Sequence, residues 1–496
     1  MNVMPRIVSK PSPDPLLDLY VDLDGTLIAT DIAEESLVHA ARDRTAIGSA
    51  LKAYRAGGLA GLKRSLALSN PPDVAHLPYR HEVLDYIRNE RSKGRRVILA
   101  TAADATVAHA VAAHLKLFDA VIASEPGRNL KGAEKLRAIN ELSKGPFEYL
   151  GDSAADIPIW QSAARSGFVA PQRAARQEMR RDPDAHSLIV QRKISPLQAL
   201  FTAMRPHQWA KNILVFVPIL FAHEYVHLPV MLAGVLAFLC FSLCASGVYL
   251  INDIMDIQAD RQHASKYKRP FAAGDLTIRQ GIPAAVVLLV ASVSAGFFFI
   301  NALFGFVLIG YAILTTAYTF VLKQYSTVDV VALSLLHTVR ILAGSAATGL
   351  TPSPWLLTYS LFFFLSLAYM KRFIELDRMA GATDNARLPS RNYFASEVQL
   401  VLTFGIANGA LSVLTLAQYV NSTAVHANYN SPFLLWFIIP IMMFWTYRSW
   451  TWASRGQIGD DPVVFALKDT ISRLCVGLVL VIIVSARLID IVWSAG

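Results

Sequence analysis

Two separate groups of aspartates in this 496-residue chain have spacings that suit phosphate chemistry. Asp22 and Asp24 directly follow a short apolar run, where one carboxylate can attack phosphorus and the other can act as acid and base. Asp253, Asp256 and Asp260 end a long apolar run at spacings i, i+3 and i+7, which predicts one shared helix face. Crowded carboxylates raise one another's cost of ionisation, and a divalent cation relieves it. Mg²⁺ is the cation we expect, because it binds through carboxylates and substrate phosphates.

Further polar residues follow the first pair of aspartates along the chain. Thr101 ends a second apolar run and can donate a hydrogen bond to a phosphoryl oxygen. Lys131 can neutralise the attacking carboxylate and the phosphate. Asp152 and Asp156 follow a third apolar run and offer hard oxygen ligands to Mg²⁺. Because open parallel sheets place their sites beyond the carboxyl ends of the strands, we expect these residues at one edge of a sheet.

The elements that must position these residues are those of an α/β domain. Strand-like runs at 16–22, 96–101 and 147–152 alternate with helical stretches, which predicts a Rossmann-like parallel sheet covered by helices on both faces. Residues 31–80 contain no strand-like run and predict a helical cap. Residues 171–199 are polar, basic and punctuated by prolines, which predicts a linker after a domain of residues 1–170.

Over about residues 15–170 this arrangement resembles the haloacid dehalogenase (HAD) superfamily. The resemblance implies that Asp22 is a nucleophile forming an aspartyl-phosphate and that Asp24 is the acid and base. It also implies contacts of Thr101 and Lys131 with the phosphoryl group. The Mg²⁺ would be held by Asp22, the Asp24 backbone carbonyl, Asp152 and Asp156. An aspartate at position 24 favours a phosphatase over an ATPase, and an inert scaffold is the alternative.

The composition of the chain changes near residue 200. Charged residues make up 50 of the first 200 positions but only 33 of the remaining 296, although hydrophobic residues are 54% of the whole. The rear part, residues 200–496, has too few charges to cover a water-soluble surface, which excludes disorder, a secreted disulfide scaffold and a wholly soluble enzyme. The net charge of +9 comes partly from rear basic residues in short loops, so membrane topology explains it better than nucleic-acid binding does.

The apolar runs of the rear part predict an all-α bundle of nine transmembrane helices. The loops at 253–280, 323–327, 372–396 and 449–469 carry nearly all of its Lys and Arg, whereas the alternate loops carry none. This bias predicts a bacterial inner-membrane protein whose N-terminal domain lies in the cytosol and whose C-terminus lies outside. The predicted spans are 211–227, 230–250, 281–300, 302–322, 328–349, 355–371, 397–420, 432–448 and 470–492.

Most other candidate ligands of the rear part are cationic and lie beside apolar runs. Arg340 lies inside one, where an ionisable side chain is a functional candidate, although an interior ion pair is the alternative. Lys371 and Glu375 are four residues apart, so a pair within one helix is the alternative for them. The predicted substrate-binding residues are Arg205, Lys211, Asn212, Asn252, Lys266, Lys268, Arg269, Arg340, Lys371, Arg372 and Glu375.

Residues 252–260 read NDIMDIQAD and resemble the first aspartate motif of the UbiA superfamily of intramembrane prenyltransferases. With RPHQWAKN at 205–212 and KRFIEL at 371–376, the rear part resembles the decaprenyl-phosphate phosphoribosyltransferase branch of that superfamily. The resemblance implies that Asp253, Asp256 and Asp260 hold Mg²⁺. It also implies transfer of a 5-phosphoribosyl group from phosphoribosyl pyrophosphate (PRPP) to a polyprenyl phosphate in the bilayer, with release of pyrophosphate.

Together the two resemblances predict a two-step enzyme. The transfer product would keep a 5-phosphate, and the front domain would remove it to give polyprenyl-phosphoryl-ribose, the expected precursor of an arabinofuranose donor for cell-wall glycans. Three alternatives stay open: an aromatic prenyltransferase of quinone or haem synthesis with a fused phosphatase, a lipid carrier with an inert front domain, and a phosphatase acting on an unrelated soluble metabolite. The expected partners are PRPP, the lipid and the bilayer, with no nucleic acid, and homo-oligomerisation is left open.

Overall fold

The structure is a computed structural model that describes residues 17–489 apart from 42–43, 144, 183–184, 189–193, 380–385, 389–390 and 460. The chain splits into two compact units. Unit 1 comprises Met1–Met204 and Tyr249–Ala284, and unit 2 comprises Arg205–Val248 and Ala285–Gly496. The aspartates at 253–260 therefore belong to the same compact unit as the front α/β domain.

A six-stranded parallel sheet forms the centre of the front domain, in the order β3-β2-β1-β4-β5-β6. The strands are β1 (Asp18–Val21), β2 (Val97–Asp104), β3 (Ala120–Ser124), β4 (Phe147–Gly151), β5 (Arg165–Val169) and β6 (His186–Leu188). Leu19 and Val21 of the central strand β1 belong to one buried cluster and Tyr20 belongs to another. Both faces of the sheet are therefore covered, and the predicted parallel α/β domain is confirmed.

Short helices flank this sheet. The region predicted as a cap contains the two helices α1 and α2, and α2 bends where Gly57 and Gly58 leave helical geometry. The helices up to residue 204 are α1 (Ile32–Ala40), α2 (Arg44–Ser69), α3 (His81–Ser92), α4 (Ala105–Leu115), α5 (Ala133–Leu142), α6 (Ile157–Trp160), α7 (Arg173–Met179) and α8 (Pro196–Ala203).

The sheet extends beyond the predicted end of the front domain. The interpretation of 171–199 as a linker is wrong for its first part, because α7 and β6 lie there and β6 pairs in parallel with β5. The sequence of β6, His-Ser-Leu, is too short and too polar to stand out as a buried strand. Pairing along an edge needs backbone groups rather than an apolar run, so such a strand can form without that signal.

The rest of the chain is helical. The remaining helices are α9 (Val217–Phe221), α10 (Leu228–Met255), α11 (Ile257–Gln262), α12 (Pro270–Ala273), α13 (Ile278–Ala295), α14 (Ala302–Phe320), α15 (Ser326–Thr348), α16 (Pro354–Asp377), α17 (Val398–Val420), α18 (Thr423–Asn428), α19 (Ile438–Ser454), α20 (Pro462–Lys468) and α21 (Thr470–Leu488).

Seven helices in the described part of the chain are long and apolar enough to cross a membrane. They are Leu228–Met255, Ile278–Ile300, Ala302–Phe320, Ser326–Thr348, Ala395–Val420, Pro432–Ser454 and Thr470–Leu488. The predicted count of nine is not confirmed. The span expected at 211–227 is a 3₁₀ segment, Pro206–Phe216, followed by the short α9. The span expected at 355–371 lies in α16, whose polar, aromatic and terminal charged residues keep it out of the seven.

A buried carboxylate ties the edge of the sheet to its centre. Glu148 of β4 is fully buried and accepts a 2.6 Å hydrogen bond from the Tyr86 hydroxyl. Its carboxylate also lies 2.8 Å from Arg95 Nη1 and 3.1 Å from the His186 ring of β6. Burial by itself raises the pKa of Glu148, but His186, Arg95 and Tyr86 together lower it to about 2. The charged carboxylate therefore stabilises the folded sheet.

Replacing Glu148 with Gln should destabilise the front domain by about 3 kcal/mol at pH 7, because a pKa lowered by about two units is worth roughly that much. The folded pKa lies below the unfolded one, so the wild type loses this advantage as the pH falls from about 4.5 to 2. The check is the opening free energy of β4 and β6 from amide hydrogen exchange. Glu141→Gln is the control, since Glu141 pairs with Arg128 at the surface. A gap between wild type and Glu148→Gln that does not change with pH would contradict this account.

Candidate active sites

The first candidate site lies at the carboxyl edge of the sheet. Asp22 directly follows the central strand β1, and its carboxylate accepts a 2.9 Å hydrogen bond from the Leu23 amide. Gly25 has a φ of 76°, and a Cβ at that position would lie 2.4 Å from an oxygen of Asp152. Only glycine therefore lets the loop after β1 approach the carboxylate that follows β4.

Three buried carboxylates meet at this edge. Asp22, Asp152 and Asp156 each offer a ligand atom within 4.8 Å of the others, and they are the only such group found among the described residues. Burial is the main cause of the raised pKa of Asp22, to about 6, and of Asp152, to about 7. Burial opposes ionisation of Asp156 as well, but Lys135 and hydrogen bonds from Tyr149 and Ser153 lower its pKa. Three closely spaced carboxylate oxygens fit a divalent cation such as Mg²⁺. Asp24 lies outside this trio.

The lysine beside Asp22 is Lys135, which the sequence analysis missed. Its Nζ lies 2.9 Å from Asp22 and 3.4 Å from Asp156, and the side chain is only 3% exposed. The assignment of this role to Lys131 is wrong, because Lys131 is exposed at the rim of the same cavity. The chain turns at Gly132, which has a φ of 61°, before α5 begins. The buried face of α5, which includes Lys135 and Ile139, is the sequence signal that could have identified the residue.

Asp24 and Thr101 lie near this site in different surroundings. Asp24 Oδ1 accepts a 3.0 Å hydrogen bond from the amide of Ile32, the first residue of α1. Burial, followed by the nearby Asp31, raises the pKa of Asp24 well above its ordinary value. A carboxyl group that holds its proton suits the role of an acid. Thr101 is fully buried within β2, which continues to Asp104, and its hydroxyl oxygen accepts a bond from Ala103.

A cavity of about 1600 Å³ contains the nucleophile. Two basic side chains that the sequence analysis did not single out also line it. Lys63 of α2 donates a 2.6 Å bond to the Ala102 carbonyl, and Arg80 donates a 3.3 Å bond to the Gly25 carbonyl. A cavity with carboxylates at its base and cations on its wall suits an anionic phosphate ester.

The spacing of the second group of carboxylates predicted one continuous helix, but the structure does not have one there. The helix α10 ends at Met255, Asp256 is non-helical, and α11 begins at Ile257. Asp253 and Asp260 are buried and accept bonds of 3.2 and 2.7 Å from the same nitrogen, Nη1 of Arg269. These two carboxylates bring together oxygen donors of the kind that Mg²⁺ binds, but with Asp256 they do not form a three-carboxylate group like that of the first site among the described residues.

The polar residues next to these aspartates, mostly basic, differ from one another in their contacts. Arg269, predicted to bind substrate phosphate, pairs with Asp253 and Asp260 instead. Lys266 and Lys268 lie in a 3₁₀ turn, and the ammonium group of Lys268 lies 5.5 Å from the centre of the Tyr267 ring. Asn252 lies in the last turn of α10, one residue before Asp253. Burial raises the pKa of Asp260, which Arg269 opposes.

In unit 2 the residues of the RPHQWAKN segment contact other predicted ligands. Lys211 forms an ion pair with Asp461, and the Asn212 side chain accepts a 2.9 Å bond from Nε of Arg340. The guanidinium of Arg340 lies 5.3 Å from the centres of both the Phe241 and Tyr311 rings. Arg340 is therefore held by an amide and two aromatic faces. Arg205, with a φ of 55°, is the first residue of this segment.

Arg372 is the most deeply buried cation of unit 2. It is fully buried, and its Nε donates a 2.6 Å bond to Asp329 of α15. It also pairs with Glu375, which lies 3.1 Å from Arg391. The prediction that Arg372 binds substrate phosphate is wrong in this structure, because its guanidinium is engaged by two carboxylates. The alternative Lys371–Glu375 pair is also absent among the described residues.

Arg372→Met should lower the unfolding free energy by about 3–5 kcal/mol, because it leaves Asp329 buried without its cation. Adding Asp329→Leu should recover most of that loss, since it removes the unpaired charge. Lys371→Met, at the neighbouring half-buried position, should cost less than about 1 kcal/mol. Thermal unfolding in detergent measures all three. Equal destabilisation by Arg372→Met and Lys371→Met would show that the buried pair is not what matters.

Comparison with known proteins agrees with both halves of this description. Residues 213–467 match the UbiA prenyltransferase family, and residues 19–161 match the haloacid dehalogenase-like hydrolases. An uncharacterized protein, y4nM of Sinorhizobium fredii, is 34% identical over 464 residues, which is 92% of this chain and 89% of that protein. The decaprenyl-phosphate phosphoribosyltransferase of Mycolicibacterium smegmatis is 34% identical over 289 residues, covering 56% of this chain and 89% of that enzyme.

A solved structure of a UbiA homolog from Archaeoglobus fulgidus, bound to GPP and Mg²⁺, is 16% identical and covers 58% of this chain and 99% of its own, with a TM-score of 0.43. The apolar helices and the family match indicate an integral membrane protein. The chain belongs to the UbiA prenyltransferase family, is an enzyme similar to decaprenyl-phosphate phosphoribosyltransferases, and carries an N-terminal haloacid dehalogenase-like hydrolase domain.

Proposed function

We propose that the protein is a bifunctional membrane enzyme whose rear part transfers 5-phosphoribosyl from PRPP to a polyprenyl phosphate and whose front domain removes the 5-phosphate. One observation carries the proposal. The cavity that contains Asp22 is also lined by Ile257, Arg261 and Lys268, which lie among or shortly after the transferase aspartates in the same compact unit. A phosphatase cavity with such a wall is suited to a phosphate ester made at those aspartates. Relatives named as decaprenyl-phosphate phosphoribosyltransferases support the transfer reaction.

The front domain's own residues suffice for a two-step hydrolysis. An Asp22 oxygen attacks phosphorus, the bond from phosphorus to the sugar oxygen breaks, and Asp24 gives its proton to that oxygen. Water then attacks the aspartyl-phosphate, passes a proton to Asp24, and releases inorganic phosphate and the Asp22 carboxylate. Lys135, 2.9 Å from Asp22, holds the nucleophile's charge throughout. Mg²⁺, with Asp22, Asp152 and Asp156 as candidate ligands in front and Asp253, Asp256 and Asp260 behind, supplies positive charge against phosphate oxygens when bound.

In the transfer reaction the bond from the ribose anomeric carbon to pyrophosphate breaks, and a lipid phosphate oxygen bonds to that carbon. No general base is required, because the lipid phosphate is already an anion. Lys211 and Lys371 are our candidates for binding the lipid phosphate or the sugar 5-phosphate. Burial raises the pKa of Asp461, but Lys211 and Lys371 lower it to about 2, so Asp461 stays charged beside them. Arg340 and Arg372 lie inside the helical rear part, where Arg340 contacts Asn212 and Arg372 pairs with Asp329 and Glu375. We assign both a supporting role behind the substrate-binding residues.

The aromatic prenyltransferase is the weaker candidate. It requires a second aspartate motif that binds metal, whereas residues 371–378 read KRFIELDR and Glu375 there is paired with Arg372 and Arg391. We further propose that the front domain faces the cytosol of a bacterium and that the C-terminus lies outside its inner membrane, on the loop charges alone. The proposed product, polyprenyl-phosphoryl-ribose, suits a later conversion to an arabinofuranose donor for glycans.

Membranes that contain the full chain, given PRPP labelled in the ribose, polyprenyl phosphate and Mg²⁺, should produce a labelled lipid without a 5-phosphate. Asp22→Asn should accumulate the 5-phosphorylated lipid, because the nucleophile is lost while transfer continues. Asp253→Asn should yield no labelled lipid, because the carboxylates for the pyrophosphate are disrupted. Chromatography of the lipid extract separates the two products.

Each half of this experiment can fail separately. If Asp22→Asn releases as much dephosphorylated lipid as wild type, the phosphatase acts on another metabolite and the coupled scheme is wrong. If Asp253→Asn labels lipid like wild type, the transfer assignment is wrong. Arg88→Met is a matched control for surface charge, since Arg88 pairs only with Asp85 in an exposed ion pair.

Lys135→Met should lower removal of the 5-phosphate at least 100-fold, because Asp22 loses the buried cation beside it. Lys131→Met should lower it less than about fivefold, because Lys131 is exposed at the rim. Phosphate release from the purified full chain measures both. The reverse ranking of the two variants would return the catalytic role to Lys131.

A further inference from the structure

The segment between the transferase aspartates and the next membrane helix contacts the phosphatase domain directly. This segment, Ile257–Gln280, belongs to unit 1 together with the front domain. It contributes one wall of the 1600 Å³ cavity around Asp22. Its residues on that wall include Ile257, Arg261, Tyr267, Lys268, Thr277 and Arg279.

Two arginines of this segment bind neighbouring glutamates of α1. Arg261 donates two parallel hydrogen bonds of 2.8 and 2.7 Å to the carboxylate of Glu35, and both side chains are more than nine-tenths buried. Arg279 forms an ion pair with Glu34 and lies 3.5 Å from Asp31. A two-bond arginine–carboxylate pair fixes orientation as well as distance, so these contacts determine where α1 lies.

The helix α1 in turn holds the phosphatase acid. Its first amide, that of Ile32, donates a 3.0 Å bond to Asp24, and Asp31 caps the helix by accepting from the amides of Ala33 and Glu34. The segment also touches the loop between Asp24 and α1. A Cβ on Gly274, whose φ is 77°, would lie 2.5 Å from the Cβ of Ala29. The contacts made by Arg261, Arg279 and Gly274 therefore all fall on α1 or on the loop that joins it to Asp24.

We infer that Arg261 and Arg279, which lie in the transferase part of the sequence, are positioning residues for the phosphatase acid Asp24. The inference rests on the phosphatase half of the proposed function and does not depend on the identity of the lipid. Neither arginine needs to touch the substrate, since each acts through α1. Arg261 directly follows Asp260, which shares Arg269 with Asp253, so adjacent residues of α11 serve the two reactions.

A soluble substrate distinguishes a misplaced Asp24 side chain from loss of the folded site. With p-nitrophenyl phosphate, Asp22 attacks phosphorus and p-nitrophenolate leaves with the bond's electron pair, needing no proton from Asp24. Asp24 therefore keeps its proton in the first step and loses it to solvent before the second. In the second step water attacks the aspartyl-phosphate, its proton goes to the Asp24 carboxylate, and the phosphorus–Asp22 bond breaks. Misplacing Asp24 therefore slows the second step and spares the first, whereas loss of the folded site abolishes both.

The test uses the full-length protein in detergent with p-nitrophenyl phosphate and Mg²⁺. In Arg261→Met, the first-turnover release of p-nitrophenolate should stay within threefold of wild type, while steady-state turnover falls at least tenfold. Amide hydrogen exchange across α1 should become faster. Arg261→Lys, which keeps the charge but loses the two-bond geometry, should show the same pattern with a fall of about threefold, and it replaces Arg261→Met if that variant does not fold.

Two controls make the outcomes distinct. Arg88→Met, which removes an exposed ion pair elsewhere on the front domain, should match wild type in both steps. Asp22→Asn should abolish first-turnover release, and if it does not, the proposed phosphatase assignment is what fails. If Asp22→Asn behaves as expected but the Arg261 variants either match wild type or lose both steps equally, the positioning role of Arg261 is overturned.

Discussion

The carboxylate clusters of both candidate sites lie against a buried or half-buried cation. Lys135 lies between Asp22 and Asp156, and Arg269 between Asp253 and Asp260. Removing a carboxylate from water costs several kcal/mol unless an opposite charge lies close by. Sites that gather carboxylates to bind phosphate and metal must therefore carry their own cations. The positions of those cations decide which elements of the fold have to meet.

The elements that the sequence predicted correctly are those with a strong burial signal. The strands β1, β2 and β4 are mostly apolar because both faces of each strand are covered. The strands β5 and β6 carry polar residues, whereas β3 is largely apolar, and all three form by pairing with other strands of the sheet. The first predicted membrane span shows the opposite case. The sequence there is as apolar as a membrane helix, but Pro206 and Pro218 interrupt it, so it does not form one continuous helix.

The candidate site was predictable where position along a strand determines it. Asp22 and Asp152 follow neighbouring parallel strands, so their meeting is a consequence of sheet topology. Lys135 was not predictable in the same way, because the turn at Gly132 sets which lysine points inward. The pairing of Arg372 with Asp329 joins residues 43 positions apart, and no local pattern specifies it. Residue spacing along the chain predicts which reactive side chains a site can use. Long-range ion pairs then determine which of those side chains are already engaged by a partner.

The Glu35–Arg261 pair extends this constraint across the whole chain, since its partners are 226 positions apart. Neither residue can be buried as a charge without the other. The phosphatase helix α1 and the transferase helix α11 are consequently one structural element, although the sequence places them in different domains. A linker alone would only raise the local concentration of an intermediate. The buried pair instead fixes the helix whose first amide bonds Asp24, so under the proposed function the geometry of one reaction depends on the segment assigned to the other.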